Sequence, residues 1–170
     1  MIVVLMGVSG SGKTTIGTLL AERTNAVFAD ADDYHPAANK VKMAAGQPLN
    51  DEDRQPWLET LNKLMLGWFR EGKSGVLACS ALKETYRVTL SQGIPETELR
   101  FVWLDGPKAL IAERLAQRHH EYMNSKLLDS QIATLEIPKD ALRIEIDSEP
   151  GVIVDRILEQ VPLAQAAKSK

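Results

Sequence analysis

Apolar and polar positions along the chain fall into two regimes that alternate. Short segments rich in apolar residues, Ile2-Val3-Val4-Leu5-Met6, Ala26-Val27-Phe28-Ala29, Gly75-Val76-Leu77-Ala78-Cys79, Leu99 to Leu104 and Ala141 to Asp147, read as strands. Between them, apolar residues recur at three- and four-residue steps. The longest such stretch carries Trp57, Leu58, Leu61, Leu64, Met65, Trp68 and Phe69 and predicts an amphipathic helix ending at Glu71-Gly72, its stripe turned to the core. Shorter helices are predicted over Thr15 to Arg23, from Pro36 to Ala45 with Gly46 as the stop, from Ser80 onward, after Asp105-Gly106-Pro107, around Ser130 to Leu135, and from Pro150-Gly151 with Val154, Ile157, Leu158 and Val161 inward. Five strands alternating with helices predict an α/β fold, a doubly wound parallel five-stranded sheet, because consecutive β-α-β units cross over right-handedly and cover both faces.

Composition changes this picture only at its edges. A chain of 170 residues, 44% hydrophobic, suffices for one domain with a substantial core, expected over 1–162 with a frayed tail at 163–170. A formal charge of −3 leaves no electrostatic footprint for nucleic acid or for a membrane surface, and no apolar run reaches the length of a membrane span. The first strand begins at residue 2, which leaves no room for a signal peptide, so a cytoplasmic protein with small-molecule partners is expected. Cys79 is the single cysteine, placed to be a buried apolar residue rather than a nucleophile.

The chemistry begins directly after the first strand. Gly7-Val8-Ser9-Gly10-Ser11-Gly12-Lys13-Thr14 has the spacing of a phosphate-binding P-loop set between a strand and a helix. Its glycines let backbone N–H groups converge on phosphate oxygens, the helix N-terminus adds positive potential, Lys13 neutralises terminal phosphate charge and the Thr14 hydroxyl can hold Mg²⁺. Gly7, Ser9, Gly10, Ser11, Gly12, Lys13, Thr14 and Thr15 are therefore the candidate nucleotide-binding residues. A GTPase would need a guanine-reading Asn-Lys-x-Asp after a strand, and Asn62-Lys63-Leu64-Met65 lies within the core helix instead.

Past the second strand comes Asp30-Ala31-Asp32-Asp33-Tyr34-His35-Pro36. In open α/β sheets ligands sit beyond the carboxyl ends of the strands, so these acids face the crevice of the P-loop. If the backbone stays extended, Asp30 and Asp32 project to one side, where one carboxylate can support Mg²⁺ and the other accept a proton from an attacking hydroxyl. The alternative is an Asx-rich turn that caps the next helix. Arg54 sits in the first turn of the long helix, where the dipole gives a cation nothing, and so either serves an anionic ligand or pairs with Asp51 or Asp53. Lys83 and Arg87 are expected one turn apart on one helix face, suited to a carboxylate-bearing substrate or else simply solvated. The polar excursion from His119 to Lys126 fits a mobile lid, about 118–129, and its paired histidines lack the companions a zinc site needs.

Taken together, Met6 to Lys13, Asp30-x-Asp32-x-x-His35-Pro36-x-x-Asn39, Lys42-Met43-x-x-Gly46-x-Pro48-Leu49-x-Asp51-x-Asp53-Arg54-x-Pro56-Trp57-Leu58 and Cys79-Ser80-Ala81-Leu82-Lys83-x-x-Tyr86-Arg87 resemble the gluconate kinase (gluconokinase) family, from the first strand to about residue 160. The resemblance implies a P-loop kinase fold similar to adenylate and shikimate kinases. It also implies ATP- and Mg²⁺-dependent phosphorylation of the 6-hydroxyl of D-gluconate to 6-phospho-D-gluconate, and a homodimer. On it, Lys13, Asp32 and Arg118 fall among the catalytic groups, with Asp32 at the accepting hydroxyl. Thr14 and Asp30 support the metal, Arg114 and Arg118 reach the nucleotide from the lid side, and His35, Arg54, Lys83 and Arg87, with Asp32, take the sugar acid. Two departures stand out: Ala31 where relatives commonly carry glycine, and His120-Glu121 where they often read Gly-His, so no role is assigned to His119, His120 or Glu121. Another small-metabolite P-loop kinase is the nearest alternative, but a shikimate kinase would show a glycine triplet where this chain has Cys79-Ser80-Ala81.

Overall fold

The computed structural model describes residues 1–117 and 125–164. In chain order these form β1 (Ile2–Met6), α1 (Lys13–Thr24), β2 (Val27–Asp30), a 3₁₀ turn (Ala31–Tyr34), α2 (Ala37–Ala44), α3 (Asp51–Arg70), β3 (Gly75–Ala78), α4 (Glu84–Ser91), a 3₁₀ turn (Glu96–Glu98), β4 (Leu99–Asp105), α5 (Lys108–Gln117), α6 (Ser125–Thr134), β5 (Leu142–Glu145) and α7 (Pro150–Gln160). The five strands make one sheet in the order β2-β3-β1-β4-β5, every pairing parallel. This is the doubly wound sheet that the alternation of patterns predicts.

Strand alternation explains why the sheet needs cover on both sides. Along β1, Val3 and Leu5 pack with Ile16 and Leu20 of α1, Ile111 and Leu115 of α5 and Ile153, Val154 and Ile157 of α7. Ile2, Val4 and Met6 point the other way, to Leu58, Leu61 and Met65 of α3 and Leu90 of α4. All five residues of β1 are fully buried, each contributing about 1.5–3 kcal/mol of apolar transfer for a side chain of this size. Trp68 lies so close to Gly75 that a Cβ there would sit 2.2 Å from its ring, so only glycine lets α3 settle on the start of β3.

Helix ends follow local chemistry. Asn50 and Asp53 close a reciprocal capping box at the start of α3, with Asp51, Glu52 and Asp53 in the first turn to complement the dipole. Two expected boundaries move. The helix expected from Ser80 starts only at Glu84, because Ala81 takes a left-handed conformation, φ 47, that breaks any helix before it. Leu163, expected to begin the frayed tail, is buried against the core beside Val161. No helix among the described residues is long and apolar enough to cross a membrane.

Candidate active site

The carboxyl ends of β1, β2 and β3 open into a crevice of about 410 Å³, lined by Ser9, Gly10, Gly12, Lys13, Thr14, Asp30, Asp32, Cys79, Ser80, Leu115 and Gln131 among others. The loop leaving β1 wraps around its floor. Gly7, Gly10 and Gly12 all have positive φ, and a Cβ on Gly7 would stand 2.8 Å from the Leu104 carbonyl oxygen, so the turn is closed to side chains. Gly12 is the left-handed N-cap of α1, whose first residues are Lys13, Thr14 and Thr15. The Lys13 ammonium curls back to donate to the carbonyls of Gly7 (3.0 Å) and Val8 (3.1 Å), which holds it over the loop. Ser11 turns inward: its N–H donates to the Val8 carbonyl and its hydroxyl is buried. It therefore serves the loop's own shape.

Opposite the loop, Asp30 ends β2. Thr14 Oγ1 donates to Asp30 Oδ2 at 2.7 Å, and Asp30 Oδ1 accepts from the Asp32 N–H at 3.0 Å. The backbone does not stay extended here, the condition under which Asp30 and Asp32 would project to one side. It folds into a 3₁₀ turn with Asp30 as its N-cap, so Asp30 both caps the turn and lines the crevice, while α2, the helix the turn was expected to cap, has Pro36 at its N-cap and no side-chain cap. Trp57 fixes that turn from α3, donating its indole N–H to the Ala31 carbonyl at 2.7 Å. Burial, reinforced by the Asp30 carboxylate, pushes the Asp32 carboxyl above its ordinary value, although Lys13 opposes the shift. Cys79, in the same wall, is fully buried with its thiol pushed up to about 12 by burial, and is inert.

Beside this crevice the starts of α2, α3 and α4 meet. His35 stacks on Trp57 with ring centroids 4.3 Å apart, and Asn39 Nδ2 donates to its Nδ1 at 3.3 Å, leaving the ring proton on Nε2. Burial lowers its basicity, aided by the Arg54 and Lys40 charges, so His35 is neutral at pH 7. Asp51 is the hub of the next group. Lys83 Nζ donates to both its oxygens (3.1 and 3.0 Å), the Tyr86 hydroxyl donates at 2.5 Å, and Arg54 lies 3.8 Å away. The Arg54 and Lys83 cations also sit 5.7 and 5.6 Å from the Tyr86 ring centroid. The hydrogen bond from Tyr86, with that from Lys83, holds the Asp51 carboxyl below the usual carboxylate range.

Arg87 does not join this group. It is buried, and its guanidinium donates to the carbonyls of Ala81 (2.7 Å), Leu82 (3.2 Å) and Glu136 (3.0 Å). The expectation of a shared face with Lys83 fails because Lys83 caps α4 rather than lying within it, and the two cations go to different partners. Arg114 donates to the Ile146 carbonyl at 2.6 Å, at the rim of a second hollow of about 340 Å³ between the ends of β4 and β5. Arg118 lies outside the described residues, as do His119, His120 and Glu121 and the first part of the expected lid. Residues 125–129 of that lid belong to α6.

Sequence reasoning gave Tyr86 and Gln131 no role, and Asp51 only that of an ion-pair partner for Arg54, a pairing the structure shows at 3.8 Å. Gln131 reaches from α6 into the P-loop, accepting from the Ser9 N–H at 2.6 Å and donating to Ser9 Oγ at 3.0 Å. Its position in the sequence carries no signal, because its partner is 122 residues away. Among the described residues there is no cluster of three or more His, Cys, Asp or Glu that could hold a metal alone. The Thr14 hydroxyl and the Asp30 carboxylate beside it instead form an oxygen-lined corner whose chemistry fits a Mg²⁺ ion completed by phosphate and water oxygens.

Comparison with known proteins settles the family. A family model described as "AAA domain" matches residues 2–138. A probable gluconokinase of Xenopus tropicalis is 45% identical over 177 residues, 95% of this chain and 93% of the relative. The thermosensitive gluconokinase of Escherichia coli (strain K12) is 42% identical over 162 residues, 93% of this chain and 86% of the relative. The crystal structure of a gluconokinase from Sinorhizobium meliloti 1021 superposes with a TM-score of 0.82 at 37% identity, covering 92% of this chain and 89% of that one. The chain belongs to the gluconokinase family. It is an ATP-dependent P-loop kinase, as the resemblance implied, and the groups around Lys13 and Asp30 line the crevice at the carboxyl end of its sheet.

Proposed function

We propose that this enzyme transfers the γ-phosphoryl group of ATP to the 6-hydroxyl of D-gluconate, releasing ADP and 6-phospho-D-gluconate. The observation that carries the acceptor is the Arg54, Lys83, Tyr86 and Asp51 group: two cations against one carboxylate leave one net positive charge for a substrate carboxylate. The polyol chain then runs toward Asp32, past the neutral His35 ring, which offers hydrogen bonds to hydroxyls. At the far end Asp32 orients the terminal hydroxyl and takes its proton as the phosphoryl group arrives. The P-loop amides and Lys13 hold the phosphates and offset their charge, and Arg114 steadies the nucleotide from the side of the second hollow. Thr14 and, through a water shell, Asp30 would hold a Mg²⁺ ion, which would supply charge neutralisation at the phosphates when bound. A homodimer acting in the cytoplasm belongs to the same reading.

The reaction needs no covalent intermediate, since phosphoryl transfer is largely positioning and charge neutralisation. ADP release measured with D-gluconate, shikimate, nucleoside monophosphates or no acceptor tests the assignment. Turnover with gluconate alone is expected. Equal turnover without acceptor, or preference for shikimate or a nucleotide, would overturn it.

A further inference from the structure

The contact between Gln131 and Ser9 occupies a phosphate donor. Lys13 is the P-loop group that reaches the terminal phosphates, and its ammonium lies against the Gly7 and Val8 carbonyls, so the Ser9 end of the loop is the terminal-phosphate end. There the single proton of the Ser9 N–H is taken by Gln131 Oε1 at 2.6 Å, and Gln131 Nε2 returns a bond to Ser9 Oγ at 3.0 Å. One N–H shared between a carboxamide oxygen and a phosphate oxygen serves neither at full strength. A charged phosphate oxygen makes the stronger bond, so it displaces the neutral amide. ADP, lacking the third phosphate, makes no such demand.

We propose that Gln131 competes with the terminal phosphate for the Ser9 N–H, holding it in the empty and ADP-bound enzyme and yielding it to ATP. The helix it stands on gives the exchange a direction. Beyond its carboxyl end α6 is tied to the segment that leads to Lys83: the Glu136 N–H donates to the Leu82 carbonyl at 2.8 Å, and Arg87 clamps the Glu136 carbonyl at 3.0 Å. Release of Gln131 therefore frees the P-loop side of α6 while its far side stays fixed beside the acceptor group. After transfer, Gln131 retakes Ser9 and closes the donor to ADP.

The inference rests on ATP as donor and not on the identity of the acceptor, so it is tested by equilibrium binding without gluconate. Titration calorimetry with Mg²⁺ and either ADP or a nonhydrolysable imido analogue of ATP compares wild type, Gln131→Ala and Gln131→Glu, with thermal melting to verify folding. Removing a neutral competitor in Gln131→Ala should tighten the analogue about two- to tenfold relative to ADP. Gln131→Glu sets a like charge against the terminal phosphate and should weaken the analogue about tenfold or more relative to ADP. Equal changes for both nucleotides, or selective weakening of the analogue in Gln131→Ala, would overturn the proposal. Either variant alone suffices if the other does not fold.

Discussion

Asp32 is exposed at the mouth of the crevice, yet partial desolvation there and the neighbouring Asp30 carboxylate raise its pKa, and a raised pKa makes it a better proton acceptor. Its pKa is raised in the folded enzyme, so its contribution to stability is greatest when it is protonated and is lost as pH rises through the folded value. Asp32→Asn should therefore melt at or above the wild-type temperature while kcat falls by roughly two to four orders of magnitude. The acidic limb of the wild-type kcat profile should lie above the ordinary aspartate range and disappear in the variant. A rate within about threefold of wild type would make Asp32 a part of the turn and nothing more. Lys83 and Arg54 answer to a different assay. Replacing either with alanine should raise KM for gluconate about ten- to hundredfold, the cost of one charge-assisted hydrogen bond at about 1.5–3 kcal/mol, with KM for ATP nearly unchanged.

At the scale of elements, the acidic turn is held by α3 rather than by its own sequence. Trp57 lies within the apolar stripe that reads as core, and it is buried, yet its indole N–H also holds the Ala31 carbonyl between the two aspartates. Trp57→Phe should cost about 1–3 kcal/mol of stability by orphaning that carbonyl, and should lower kcat more than it raises KM, because the turn carrying Asp32 loses its anchor. Periodicity disclosed the stripe but not this second task, which depends on where α3 crosses the sheet end. The start of α4 was illegible for a related reason. Ser80 to Lys83 has ordinary helical composition, and only the left-handed Ala81, with its carbonyl clamped by Arg87, keeps it open. Arg87→Lys keeps the charge and loses the fork that spans three carbonyls. It should therefore lower the melting temperature with no selective rise in KM for gluconate, whereas Lys83→Ala should do the reverse.

For the whole molecule, the P-loop, the strands and the acids beyond β2 were legible because each is written in adjacent residues: alternation in β1, glycine spacing after it, carboxylates at a strand end. The strand order was not, since placing β3 between β1 and β2 brings together runs far apart in the chain. Contacts such as Gln131 with Ser9, or Lys83 and Tyr86 with Asp51, exist only once that order is set. The order also sets the geometry of the reaction, because it seats the P-loop after β1, the acidic turn after β2 and the Lys83 loop after β3 side by side. That arrangement predicts one product bond. Phosphorus-31 NMR of the product from ATP, Mg²⁺ and D-gluconate should show a phosphomonoester split by the two protons of a primary carbon, placing the phosphate on the 6-hydroxyl. A monoester coupled to a single proton, an acyl phosphate, or inorganic phosphate alone would contradict it.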